Sequence, residues 1–359
     1  MFFVELAVDA ILTAAWLAFG WAVALRAALA QATTNQWLLV PAFAILFFVS
    51  FQLLDLPLAY YTEFVLPHRY DQSNQNLAGW VKDQILGAIL ASVIGLPVLE
   101  VIYWLLRVTG PAWWLWAAAG YVVFAIVISG LAPVVIMPLF NKYVALGAEH
   151  ADLIERLKRL AAQSGTRVSG VFRFDMSRRT KAANAALTGI GGTRRIILGD
   201  TLLDEFTPDE VESVIAHELG HQVHNDIPAG ILVSSVVTLV GLYAVALVLN
   251  WGARALGFGG PADVGALPLL ALALGLFGVL TLPLNNAYSR WREVRADEYA
   301  LATTQNPRAF AAAMTRLANQ NLAEADPEPW VVFLLYSHPP IRERLAMASS
   351  WKGVAPVQE

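Results

Sequence analysis

His217-Glu218-Leu219-Gly220-His221 is the stretch of this 359-residue chain whose spacing carries the most chemistry. Residues i and i+4 share one face of a helix, so both imidazoles can reach a single Zn2+ at about 2.0–2.1 Å. Glu218 projects about 100° round the helix, beside the ion rather than on it, where it can take a proton from a zinc-bound water. The helix has a marked start. Thr207-Pro208-Asp209-Glu210 is a capping box with Pro at the first helical position, which predicts a helix from there to about His224.

Catalytic zinc needs a third protein ligand and one open position. The chain has no cysteine, which also excludes disulfides, iron–sulfur clusters and a thiol nucleophile, and the other histidines are His68, His150, His224 and His338. Glu293 and Asp297 stand at i, i+4 in Ser289-Arg290-Trp291-Arg292-Glu293-Val294-Arg295-Ala296-Asp297. A metal-bound Glu, followed one turn later by an Asp that accepts from a ligand histidine's other N–H, is a coherent pair. One Zn2+ per chain is expected. His224 and Asp226, just after the zinc helix, read as a cap or as support behind the ligands.

The elements that must carry these residues are of two kinds. The chain is 57% hydrophobic and 14% charged, with mean hydropathy +0.54, against about 25% charged in a soluble domain. A net charge of −4 argues against nucleic-acid partners. Six segments, at 6–29, 37–60, 84–106, 113–137, 227–250 and 264–284, are long enough to cross about 30 Å of hydrocarbon, and together they hold 4 of the 52 charged residues. Asp9 and Arg26 lie near segment ends and are expected to snorkel. Asp55 is placed near an interface, and Glu100 lies deeper, an intramembrane carboxyl open to a functional role. The start, Met1-Phe2-Phe3-Val4-Glu5, lacks a basic n-region, so the first helix is expected to be retained although Ala30-Gln31-Ala32 resembles a cleavage site.

With the N-terminus inside, 21 of the 24 Lys and Arg fall on the inner side. Both polar regions then share the cytoplasmic face, and the expected organisation is 1–137 membrane helices, 138–226 first half of the polar domain, 227–284 a membrane hairpin, and 285–359 its second half. Within the polar domain the sequence predicts an amphipathic helix from Ala151 to Gln163. It also predicts short strands at 168–174 and 183–187, a turn at Gly189-Ile190-Gly191-Gly192, and a strand from Arg195 to Leu198 pairing back as a hairpin.

His217–His221, Ser289-Arg-x-x-Glu293-x-x-x-Asp297 and Ser337-His338-Pro339-Pro340 together resemble the type I CaaX prenyl endopeptidases, integral-membrane zinc proteases of the gluzincin type. Leu56-Pro57-Leu58-Ala59-Tyr60-Tyr61, Pro138-Leu139-Phe140-Asn141-Lys142 and Asp200-Thr201-Leu202-Leu203 extend the likeness over roughly 40–350. The resemblance implies a mostly α, polytopic fold of about six to seven spans around a chamber, with a split gluzincin-like α+β domain bearing a small hairpin and edge strand. It implies His217, His221 and Glu293 as zinc ligands, Glu218 as general base and Asp297 behind a ligand. It further implies that His338 and Arg344 contact substrate carbonyls or the oxyanion, and that Asn184-Ala185 lie on a strand against which an extended peptide pairs.

The activity expected is a zinc metalloendopeptidase of a bacterial cytoplasmic membrane, acting on membrane-associated or CaaX-like peptides. Arg outnumbers Lys 19 to 5, as in a GC-rich bacterial genome where prenylation is not expected. That leaves general membrane-protein quality control as the alternative. A catalytically dead transporter or receptor is a lesser one, because it predicts a missing base or ligand.

Overall fold

The computed structural model describes residues 2–189 and 191–353; Ile190, in the expected glycine turn, lies outside the described residues. By backbone contacts the chain forms two units. One comprises 1–67, 76–125 and 232–280, and the other comprises 68–75, 126–231 and 281–359.

The first unit is helical. Among the described residues, five helices are long and apolar enough to cross a bilayer: α3 (Gln36–Arg69), α4 (Leu77–Val108), α5 (Gly110–Phe140), α9 (Asp226–Ala255) and α10 (Val264–Thr304). The expected first span is not one straight helix. It is α1 (Phe2–Ala18) and α2 (Trp21–Ala32), bent by 63°. Gly20 between them adopts φ 69°, ψ 14°, a left-handed conformation that ends a helix and that side-chain-bearing residues resist. Arg26 on α2 forms an ion pair with Asp263, whose side chain is 7% exposed, instead of snorkelling. Both carboxylate oxygens of Glu100 and Oδ1 of Asp55 are buried without a hydrogen-bond partner. The core of this unit is built on Phe43, Phe47, Tyr103 and Trp113, each no more than 1% exposed.

The second unit carries a four-stranded sheet ordered β1-β2-β4-β3, with β1 Tyr143–Ala145, β2 Val171–Phe174, β3 Ala185–Thr188 and β4 Arg195–Gly199. β3 and β4 form the expected antiparallel hairpin, with Ala185 opposite Leu198, while β2 runs parallel to β4. β2 starts three residues later than the sequence suggested; just before it, Ser169 N–H donates to Arg194 O and Gly170 O accepts from Ile196 N–H. β1 has no counterpart in the sequence reading: three residues are too short for a periodic signal. α6 (Ala151–Gln163), the short α7 (Asp200–Glu205), α8 (Pro208–Val223) and α11 (Pro307–Gln320) pack on the sheet around a core that includes Leu157, Ile196, Leu202, Ile215, Leu219 and Phe310, all fully buried. Ile341–Ser350 forms the last helix.

Candidate active site

α8 starts as the capping box predicts. The Thr207 side chain accepts from Glu210 N–H, and the Glu210 carboxylate accepts from Thr207 N–H at 2.7 Å. Glu210 is 4% exposed, and its other oxygen accepts from Arg316 Nε at 2.9 Å. Burial pushes this carboxyl up, but the Thr207 and Arg316 donors outweigh it and hold Glu210 below the ordinary glutamate value.

Gly220 decides how α8 meets α10. A Cβ there would lie 2.9 Å from Ala296 Cα and 3.1 Å from its carbonyl oxygen, backbone atoms that cannot swing aside. The absent side chain lets the helices cross closely, and His217 and His221 are thereby set against Glu293 and Asp297. The Nε2 atoms of His217 and His221 are 3.2 Å apart, and they lie 3.3 Å and 3.4 Å from Glu293 Oε2 and Oε1. The three groups offer donor atoms that all lie within 4.8 Å of one another. Arms of about 2.0 Å at tetrahedral angles give edges of about 3.3 Å, so the triad fits a small tetrahedral cation.

The chemistry of the donors agrees. His217 Nδ1 faces Asp297 Oδ1 at 2.8 Å and His221 Nδ1 faces Asp226 Oδ2 at 2.7 Å. With both Nδ1–H groups donated to carboxylates, two bare Nε2 lone pairs confront each other, and Glu293 Oε2 is buried without a hydrogen-bond donor. Burial by itself would keep His217 neutral, yet Asp297 and Glu293 raise it to about 9. The pocket favours a positive charge where a metal would sit.

Glu218 is half-buried beside the triad. Burial pushes its carboxyl up, while His217 and His221 pull it down, and it accepts from the Leu187 backbone N–H. That contact identifies which side of β3 faces the helix. Gly199 N–H donates to Asn184 O at 2.8 Å, so by antiparallel alternation Asn184 and Ala186 bond toward β4, whereas Ala185 and Leu187 turn their backbone groups outward. β3 is an edge strand, and of the two expected residues it is Ala185 that presents its backbone to the cleft.

A cavity of about 560 Å³ opens here, lined by Asn184, Ala185, His217, Glu218, Glu293 and His338 among others. His338 Nε2 is 3.6 Å from Glu293 Oε2, and its side chain is 60% exposed. Arg344, expected to contact substrate, also lines the cavity and is at the same time paired with Asp297. Its Nε and Nη2 donate to both oxygens of Asp297, at 2.7 and 2.5 Å. Asp297 is fully buried and its charge needs a counterpart, so the guanidinium fork closes on it.

Asp226 is the residue that spacing alone did not assign to a ligand. Asn225, at φ 55°, turns the chain between α8 and α9 and brings Asp226 back against His221. The available signal was an Asn, which tolerates the left-handed region, directly before an Asp at a helix start.

Residues 1–142 match the family described as CAAX prenyl protease N-terminal, five membrane helices, and residues 147–352 match Peptidase family M48. The chain belongs to the M48 peptidase family. Its relatives include the uncharacterized metalloprotease YhfN of Bacillus subtilis, 32% identical over 78% of this chain and 66% of that protein. CAAX prenyl protease 1 of Saccharomyces cerevisiae is 32% identical over 82% of this chain and 68% of its own length. The rice CAAX prenyl protease 1 homolog is 31% identical over 82% and 69%. The alignments thus span about two thirds of these relatives' length. The crystal structure of S. mikatae Ste24p superposes with TM-score 0.80 at 27% identity, covering 89% of this chain and 77% of that one. This M48 chain is an integral membrane metallopeptidase by family, and the triad that could hold a metal sits in the part matched to the peptidase family.

Proposed function

We propose that this protein is a membrane-embedded zinc endopeptidase that cleaves peptide bonds of membrane-associated or CaaX-like substrates. The observation that supports it most is the triad His217, His221 and Glu293, each imidazole backed by its own carboxylate, in one cavity with Glu218 and an outward-facing strand edge. Nitrogen and carboxylate donors at tetrahedral spacing suit zinc. Zinc bound there acidifies a water and polarises a carbonyl.

The chain's own groups do the rest. An extended substrate segment pairs with the outward backbone of Ala185, which places its carbonyl near the triad. Glu218 accepts the proton of the attacking water and passes it to the leaving amine. His338 donates toward the carbonyl oxygen as negative charge develops there. Asp297 and Asp226 fix the two imidazoles with Nε2 toward the metal, and Arg344 acts through Asp297 rather than on substrate. The Lys and Arg distribution supports a cytoplasmic side for these groups, and the Arg-rich, Lys-poor composition supports a bacterial membrane.

A substrate range without prenyl specificity is the second reading, favoured by the likeness to a Bacillus subtilis metalloprotease and by the Arg-rich, Lys-poor composition. The experiment uses purified protein in lipid nanodiscs with a farnesylated CaaX peptide and its unmodified twin. Cleavage of both is expected to need one zinc per chain and to fall about 10²–10⁴-fold in Glu218→Gln with zinc retained. A Glu218→Gln protein that cuts at the wild-type rate defeats the assignment. The ratio between the two peptides decides whether the lipid matters.

A further inference from the structure

Along α10 the exposed side chains change character in a fixed order. Leu276, Leu280 and Leu284 are 58%, 67% and 71% exposed, and no charged residue occurs from Val264 to Ser289. Next come Tyr288 and Trp291, their rings stacked at 5.8 Å with Trp291 53% exposed. Arg295 follows, its guanidinium 4.6 Å from the Trp291 ring centroid, and then the exposed Glu298. At about 100° per residue all of these fall in one sector of about 120°. Asn286, Glu293 and Asp297 lie in the opposite sector, so this stripe and the ligand face of α10 are back to back.

Hydrocarbon, then aromatic rings, then a cation, then water-facing charge is the sequence of environments met on leaving a bilayer leaflet. Tyr and Trp favour the boundary between acyl chains and headgroups. Arg matches a phosphodiester with a planar fork of donors. The other two arginines near it on α10 are engaged elsewhere: Arg290 donates to the carbonyls of Val332 and Tyr336, and Arg292 faces Asp226 and lies over the Tyr288 ring. Among the described residues, Arg295 has no carboxylate within salt-bridge distance and is held only over the Trp291 ring.

We propose that Tyr288, Trp291 and Arg295 form a phospholipid anchor, the rings at the acyl–headgroup boundary and the guanidinium on the phosphate of a lipid in the leaflet that α10 leaves. The occupant is a membrane phospholipid, because the patch continues the exposed leucine stripe and the charge beside its rings, Arg295, is a cation with no carboxylate within salt-bridge distance, while Glu298 follows three residues further on. Glu293 is two residues from Trp291, about 3 Å along the helix axis. The anchor therefore holds the metal ligand at headgroup depth, and on the reading above the scissile bond is taken beside the bilayer surface.

The cysteine-free sequence allows a direct test. The full chain carrying Trp291→Cys, labelled with a fluorophore, is placed in nanodiscs of phosphatidylcholine and phosphatidylglycerol. A spin label next to the lipid headgroup is expected to remove most of its emission while aqueous iodide removes little. Arg342→Cys, at a side chain 68% exposed on the last helix, should give the reverse. Tyr288→Cys repeats the measurement if Trp291→Cys fails to fold. Quenching by iodide and not by the lipid label at both positions overturns the anchor, as does protection from both quenchers, the mark of a protein partner. In native mass spectrometry, Arg295→Gln is expected to lose the phospholipid that wild type and Arg295→Lys retain; equal retention in all three overturns the phosphate contact. Neither readout involves catalysis, so failure here is distinguishable from failure of the protease reading.

Discussion

His221 Nδ1 lies 2.7 Å from Oδ2 of Asp226, a residue 2% exposed at the first turn of α9. It mirrors the 2.8 Å contact of His217 with Asp297, so each histidine of the triad has a separate buried carboxylate behind it. The two are braced differently. Asp297 is clamped by both arms of Arg344, whereas Arg292 Nε approaches Asp226 at 3.2 Å without hydrogen-bond alignment.

If Asp226 fixes the tautomer of His221, removing its carboxylate should weaken metal binding without touching a ligand. Asp226→Ala is expected to lose about 10–100-fold in zinc affinity, and Asp226→Asn less, because an amide oxygen still accepts from Nδ1–H. Competition with a chromogenic chelator measures both. Unchanged affinity in Asp226→Ala would show the contact to be incidental.

Gly220 offers a test of the helix crossing. Gly220→Ala places a methyl against backbone of Ala296, and such overpacking costs about 1–3 kcal/mol. The melting temperature should fall. Because the same crossing sets the distance from both histidines to Glu293, zinc content after dialysis should fall with it.

The edge of β3 should tolerate proline at one position and not at its neighbour. Ala185→Pro removes an N–H that faces the cleft, and the expected result is a lower kcat/KM with zinc content unchanged. Ala186→Pro removes an N–H aimed at β4 and should destabilise the fold itself. Equal kinetics for Ala185→Pro and wild type would rule out strand pairing by the substrate.

Glu210 sets an acid-side limit on stability. Its folded-state pKa lies below the ordinary value, so its contribution is present above the unfolded pKa of about 4.3 and is lost as pH falls through the lower folded value. Thermal melts as a function of pH should show Glu210→Gln less stable than wild type at neutrality, the two curves converging in acid. Curves that stay parallel throughout would locate the stabilisation elsewhere.

Much of this site could be read from short-range spacing. The i, i+4 histidines, the glutamate between them, the capping box and the Glu293–Asp297 pair are local patterns, set by helical geometry within one element. Hydropathy marked the later membrane helices for the same reason, since a run of apolar residues needs no partner to identify it. Gly20 was visible too, but a long apolar window averages over a single left-handed residue, which is why the first span reads as straight and is bent. What the sequence could not determine is which groups from distant segments meet. Asp226 reaches His221 only because Asn225 reverses the chain; Arg344 is consumed by Asp297 because that carboxylate is fully buried; Gly220 matters because Ala296, 76 positions away, passes within contact distance. Side-chain chemistry and its periodicity are written locally, whereas burial, partner choice and the outward face of β3 arise only when non-local segments pack and each buried charge or backbone group must find a counterpart.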